Sequence, residues 1–597
     1  MNLVFIDWIS IVLFFVISIT IGIIVSKKAG SSAAEFFASG RSMPWWLLGV
    51  SMVATTFSAD TPNLVTDIVR QHGVSGNWLW WAFLLTGMVT VFIYAKLWRR
   101  SNVLTDIEFY ELRYSGKTAA FLRGFRALYL GIFFNVIIMA TVLLAAIKIG
   151  SVILGIPPYK TVIIASVVVA IYSILGGLRG VLLTDFLQFI IAMVGAVAAA
   201  IIVVDLPEVG GLDGLLQHSN VKWALAFIPD FSDSSHLITV FIIPLAVQWW
   251  SVWYPGAEPG GGGYIVQRML AAKNEKHAMG ATMLFNVAHY ALRPWPWIIV
   301  ALTSLIVFPD LAAIKEAFPN IPPNYLREDI AYSAMLTYLP AGLLGLMIAS
   351  LIAAVMSTIS THLNWGASYI VNDFYKRFLR KNPSEKELVF FGRMSILFLM
   401  VLSALMALIL QNALQAFHIL LQIGAGTGLL FLLRWFWWRI NPISEITAMA
   451  VSFLVAVYFE VIHVKIGLEP IIEWQRLIIG VGITSVSWIT VTFLTKPSDP
   501  KTLMNFIRKV NPGGPGWKHV MKKAAEEGED ISLLTKTKWD VPTGMLGAFL
   551  GLLFIFSLLF STGYWIYGNT LPAVITLIIS LVSGGFLFKV WRNIKFL

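Results

Sequence analysis

Four hydroxyls crowd one part of an otherwise apolar stretch, LLGLMIASLIAAVMSTISTHLNWGASYIVNDFYKR: Ser357, Thr358, Ser360 and Thr361. Spacings of three and four bring 357 with 360 and 361, and 358 with 361, onto one helix face. In hydrocarbon a single serine satisfies itself by bonding back to its own helix. Four hydroxyls followed by His362 and Asn364 leave both a structural and a site reading standing. Hard cations take oxygen ligands, and a neutral oxygen cage suits a monovalent ion that must also leave. A second source of oxygens is WWLLGVSMVATTFSADTPNLVTDIVR, from Trp45 to Arg70. Pro62 lacks an N–H and disfavours helix at Thr61, so the helix is predicted to break there. The break frees backbone carbonyls from Ala54 to Phe57 at a depth where no water can satisfy them.

Charged residues inside apolar stretches carry the next expectations, because an intramembrane ionisable group is costly and functional by default. Asp60 lies inside the break. Asp185, in GGLRGVLLTDFLQFII, is either a site carboxylate or an interfacial cap with Thr184 and Arg179. Arg293 lies between Pro294 and His289, the latter one turn earlier; it either pairs with an acid such as Glu258 or binds an anionic solute group. His418 and Gln422 stand one turn apart near IGAGTG. A second interruption falls in LITVFIIPLAVQWWSVWYPGAEPGGGGYIVQRMLAAK, where Pro255, Pro259 and Gly260 to Gly263 cannot continue a helix. Paired interruptions in corresponding positions of two halves point to a transporter site at an inverted-repeat interface. Solute contacts are therefore expected at Asp60, Thr61, Gln248, Trp249, Trp253, His289, Arg293, His418 and Gln422.

The elements that must position these residues are membrane spans. Of 597 residues, 58% are hydrophobic and 13% charged, with mean hydropathy +0.78, which excludes an ordinary soluble domain. There is no cysteine, so thiolate chemistry and disulfides are excluded. Hydropathy predicts about fifteen spans, near 5–26, 45–69, 78–98, 125–154, 160–178, 181–204, 236–272, 277–308, 340–372, 387–410, 412–438, 441–464, 474–495, 544–566 and 569–591. The first is read as a retained span and not a signal peptide. The net charge of +11 is carried by alternate loops, Arg268 being counted among them. This placement implies a membrane partner and no nucleic acid, with the N-terminus outside and the C-terminus inside. Residues 496–543 form a polar, mixed-charge insertion, predicted to be a solvated cytoplasmic linker with a short helix.

Five pieces resemble the sodium:solute symporter family: SAD in the first break, IEFYELRYSG, YSILGGLRGVLLTDFLQ, IVQRMLAAK and AAVMSTISTHLNWGASYIVNDFYKR. The resemblance covers roughly residues 1–495. It implies an all-α multi-pass membrane protein with a LeuT-type 5+5 inverted repeat, one leading helix and about four trailing ones. In this division residues 1–40 lead, 41–205 and 236–440 are the repeats, and 206–235 is an extracellular loop. Residues 441–495 are accessory helices, 496–543 the cytoplasmic loop and 544–597 the last helices. The family's main sodium site falls on the carbonyls of Ala54, Phe57 and Ala354 and the hydroxyls of Ser357 and Thr358. A second sodium, held in some members, falls on Asp185, Ser357, Ser360 and Thr361. Solute positions match poorly: Thr61 replaces a Gln of sugar carriers, Leu84 replaces a Glu, and a family Lys falls near His289. The implied function is Na⁺-coupled uptake of a small organic solute (sugar, amino acid or carboxylate) through the plasma membrane by a non-enzyme. A transporter-like sensor and a membrane-embedded enzyme are the alternatives.

Overall fold

A computed structural model describes residues 3–56, 58–251, 258–410, 421–469, 471–528 and 539–596. Among them the structure is helical, apart from one isolated bridge between Met43 and Ala272. Among the described residues eleven helices are long and apolar enough to cross a membrane. In chain order, and including the shorter pieces used below, the elements are α1 (Phe5–Lys27), α2 (Trp45–Thr56), α3 (Asp60–His72), α4 (Val74–Ser101), α5 (Gly116–Leu154) and α6 (Pro158–Val204). Next come α7 (Ser234–Trp250), α8 (Gly263–Ala271), α9 (Glu275–Val307), α10 (Leu343–Leu379), α11 (Glu385–Ala407) and α12 (Gly428–Leu433). The chain ends with α13 (Pro442–Glu460), α14 (Glu473–Leu494), α15 (Pro500–Val510), α16 (Lys518–Glu526), α17 (Val541–Ile566) and α18 (Thr570–Asn593).

The difference from the fifteen predicted spans arises at four places. The spans predicted at 160–178 and 181–204 form the single run α6, turned only at Gly177, whose φ of 51° and ψ of −164° suit glycine alone. Both interrupted spans divide into short pieces, α2 with α3 and α7 with α8. The span predicted at 412–438 begins in residues outside the described ones and contributes α12.

Pro62 sits in the first turn of α3, where no intrahelical N–H is required. Its ring excludes the carbonyl of Ser58 from a helical position, so α2 ends upstream of it. The second interruption turns on Gly260 and Gly261, with φ of 81° and 91°. At Gly261 an added Cβ would meet the terminal methyl of Met269 at 2.8 Å, which that flexible side chain can yield, so it is the positive φ that favours glycine there.

The core forms where α6 packs on α10, with α1 and α2 against α6 and α9 against α2. Two outer pairs, α13 with α14 and α17 with α18, flank it. On α1, α14 and α18 large apolar residues such as Ile24, Val486 and Phe588 are exposed, as hydrocarbon-facing helices require. Part of the insertion predicted as a solvated linker is packed into the protein, and residues 529–538 lie outside the described ones. Its helix α15 buries Leu503, Met504, Phe506, Ile507 and Val510 against the protein.

Candidate functional site

The last carbonyls of α2 have no intrahelical donors, so their partners decide what the break does. Thr358 Oγ1 on α10 donates to the Thr55 carbonyl at 2.9 Å, and Arg293 donates to the Val53 carbonyl at 2.8 Å. The hydroxyl-bearing face of α10 therefore touches the broken end of α2. Ala54 and Ala354 are both buried. Phe57 lies outside the described residues.

One turn deeper, Asp185 is fully buried. Its carboxylate accepts from Ser51 Oγ at 2.5 Å and Ser357 Oγ at 2.6 Å. Thr184 bonds back to Gly180 and Val181 instead, so Asp185 is not the interfacial cap of the alternative reading. The guanidinium of Arg268 completes the group. It lies 3.8 Å from Asp185 and donates to Thr361 Oγ1 (2.7 Å), Thr55 Oγ1 (3.2 Å), Ser51 Oγ (3.2 Å) and Gln267 (3.1 Å). Arg268 is thus a buried centre and not the loop charge that its position in the sequence suggests. Ser360 donates to the Ser357 carbonyl of its own helix at 3.1 Å.

Hydroxyls that give their proton to an acceptor keep lone pairs for a cation. Ser357 and Thr358 both do so here. Among the described residues no cluster of three or more His, Cys, Asp or Glu could hold a metal, so the available donors are hydroxyls, carbonyls and one carboxylate. Such a set suits a hard monovalent ion.

Next to this group the two interruptions meet. Thr56 Oγ1, at the end of α2, lies 3.0 Å from Tyr264 OH, at the start of α8. Beside them is a cavity of about 50 Å³, lined among others by Thr86, Thr90, Glu258, Asn286, His289 and Tyr290. Asn286 Nδ2 donates to the Thr282 carbonyl at 2.8 Å, which leaves Oδ1 buried against Gly87 without a protein donor. His289 Nδ1 likewise has none, and its ring packs on Phe285, Trp80 and Tyr290. A Cβ on Gly87 would overlap Asn286 Oδ1, so this glycine makes room for the amide. Two π-helical turns border the cavity, Thr90–Tyr94 in α4 and Ala288–Leu292 in α9.

Of the expected solute residues that are described, only His289 lines this cavity. The Trp249 carbonyl accepts from Thr86 nearby, and Asp60 and Thr61 sit at the first break. Gln248 and Gln422 line a separate cavity with the ion pair Glu460–Arg476. Arg293 stacks over Trp297 at 4.9 Å, and Glu258 pairs at 3.7 Å with Arg126, in place of the Arg293–Glu258 pair considered above. Trp253 and His418 lie outside the described residues.

The residues missed by sequence reasoning are Ser51, Thr55, Arg268, Thr56, Tyr264 and Asn286. A signal existed for two of them. Ser51 and Thr55 share a face of α2 by their spacing of four. Gln188 was also missed; it stands one turn beyond Asp185, buried, with neither amide atom partnered.

A family model described as the sodium:solute symporter family matches residues 36–451. The chain belongs to the sodium:solute symporter family. Members are sodium-coupled transporters, not enzymes. The sodium/glucose cotransporter 1 of Oryctolagus cuniculus is 27% identical over 82% of this chain and 78% of its own. The sodium/glucose cotransporter of Vibrio parahaemolyticus is 23% identical over 84% of this chain and 93% of its own. A Na⁺-coupled sialic acid symporter, solved substrate-bound in an outward-open state, has the same fold, with a TM-score of 0.65 at 20% identity over 83% of this chain and 100% of that one. This symporter is therefore a multi-pass membrane protein whose coupling ion is Na⁺ and whose cargo is a small solute.

Proposed function

We propose that the protein takes up a small, uncharged, polyhydroxylated solute through the plasma membrane, driven by Na⁺ and working by alternating access. In this reading the helices form a LeuT-type pair of five-helix inverted repeats within about fifteen spans, with the N-terminus outside and the C-terminus inside. The Thr358–Thr55 hydrogen bond carries the proposal, because it joins the hydroxyl face of α10 to the opened end of α2. Na⁺ binds there to the carbonyls of Ala54, Phe57 and Ala354 and the hydroxyls of Ser357 and Thr358. A second Na⁺ would use Asp185, Ser357, Ser360 and Thr361. Arg268, which already donates to Thr361, must then shift its hydrogen bond.

The solute sits in the cavity beside Tyr264. Its lining offers the acceptor Asn286 Oδ1, the ring nitrogen His289 Nδ1, the hydroxyls of Thr56, Thr86 and Thr90, and the rings of Phe83, Phe285 and Tyr290. Among the described residues no Lys or Arg lines it, which disfavours a carboxylate as cargo. Donor hydroxyls on a compact ring fit such walls, in keeping with relatives that are glucose and myo-inositol cotransporters. One positive charge moving inward through 100 mV gains about 2.3 kcal/mol, roughly fifty-fold accumulation per ion. Uptake into proteoliposomes, with hexoses, inositols, amino acids and carboxylates offered in parallel, tests the reading. Uptake of a polyol that requires an inward Na⁺ gradient is expected. Uptake indifferent to Na⁺, or confined to carboxylates, would overturn it.

A further inference from the structure

The segment after α14 lies beyond residues 36–451, yet it is built into the protein. Phe506 of α15 and Trp517 just beyond it are buried and face each other at 5.6 Å. Trp517 donates its indole N–H to the Trp435 carbonyl at 3.0 Å, and Phe506 packs on Trp435 and Phe109 at 6.0 and 5.7 Å. Arg113 lies over Phe506 and Trp517 at 5.4 and 4.8 Å while donating to the carbonyls of Arg434 and Trp437. The packing continues inward: Trp435 and Phe109 both contact Trp98, at 4.8 and 5.5 Å. Trp98 then donates its indole N–H to the Gly260 carbonyl at 2.8 Å. Gly260 belongs to the second interruption, whose Glu258, Gly261 and Tyr264 line the solute cavity. Asp106, in the short helical turn that leads into Phe109, accepts from the Gly263 N–H at 2.8 Å and caps α8.

We propose that Phe506 and Trp517 are positioning residues for transport: acting through Trp435 and Trp98, they hold the Gly260 carbonyl and so set the shape of the solute cavity. The backbone at Gly260 and Gly261 is held by few local constraints, since glycine has no side chain to fix it and both adopt positive φ. A wedge of rings that fills the space behind it supplies the missing rigidity. The proposal rests on the solute cavity assigned above.

The test compares Phe506→Ala, Phe506→Tyr and Trp98→Phe with the unaltered protein in proteoliposomes. Solute half-saturation is read at saturating Na⁺, and Na⁺ affinity is read without solute. Phe506→Ala is expected to raise solute half-saturation about tenfold while Na⁺ affinity stays within about twofold. Phe506→Tyr restores the ring and most of the affinity. Trp98→Phe keeps an aromatic ring but loses the bond to Gly260, and raises solute half-saturation about fivefold. Solute affinity unchanged in Phe506→Ala or in Trp98→Phe overturns the proposal. A parallel fall of melting temperature, Na⁺ affinity and solute affinity does so too, because it marks a merely structural role. If the unaltered protein shows no Na⁺-dependent solute binding, the functional reading fails first and is recognised separately.

Discussion

Replacing Thr358 with alanine is the sharpest single test of the ion site. The side chain is buried, and its hydroxyl bridges α10 to the Thr55 carbonyl at 2.9 Å. The change removes one oxygen from the cage and leaves a buried carbonyl short of a donor. A lost buried partner costs about 1–3 kcal/mol, which corresponds to about five- to 150-fold in affinity. The half-saturating Na⁺ concentration should rise by a factor in that range, while maximal uptake at saturating Na⁺ changes little. Because ion and solute must raise each other's affinity equally, solute half-saturation at low Na⁺ should rise as well. Thr358→Ser, which keeps the hydroxyl, should stay within about threefold of the unaltered protein. The assay is initial-rate uptake into proteoliposomes across a Na⁺ series, with isothermal Na⁺ binding as the equilibrium check. A Thr358→Ala protein whose Na⁺ dependence lies within twofold of the original refutes the assignment.

Three further outcomes follow from the same geometry. Arg268→Ala leaves the Asp185 carboxylate buried without its cation and should destabilise the protein by about 3–5 kcal/mol, read as thermal unfolding in detergent. The paired change Asp185→Asn with Arg268→Gln should recover much of that loss; equal damage would remove the case for an electrostatic partnership. Asn286→Ala and His289→Phe should each weaken solute binding about tenfold with Na⁺ affinity measured alone unchanged. Gly87→Ala places a methyl on Asn286 Oδ1 and should suppress solute uptake while the protein still binds Na⁺; normal uptake would relocate the cavity.

The two interruptions were readable because proline and glycine act locally: Pro62 and Gly260 to Gly263 stop helices wherever the chain places them. The hydroxyl face at 357–361 was readable from spacing alone. Arg268 was not, since hydropathy cannot distinguish a basic residue at the end of a span from one folded back inside it. Asn286 was hidden for a different reason. Its role depends on a glycine two hundred residues away, Gly87, that yields space to its amide. The placement of Gln248 and Gln422 away from the solute cavity, beside Glu460 and Arg476, is equally a matter of tertiary packing. Helix α15 failed as a linker because its buried stripe is short, and only its partners Trp435 and Phe109 reveal it as a wedge.

The π-helical turns at Thr90–Tyr94 and Ala288–Leu292 have a consequence for comparing this protein with others. In each, the N–H five residues on closes the ring, as in the bond from Arg293 to the Ala288 carbonyl at 3.2 Å. One surplus residue is thereby stored without lengthening the ladder on either side. Excising it would restore ordinary winding and leave the flanking turns where they are, whereas winding it into the regular helix would swing every later side chain by about 100° around the axis. His289 stands inside such a turn, so a residue sharing its column in an alignment faces the same wall only if that protein stores the same surplus.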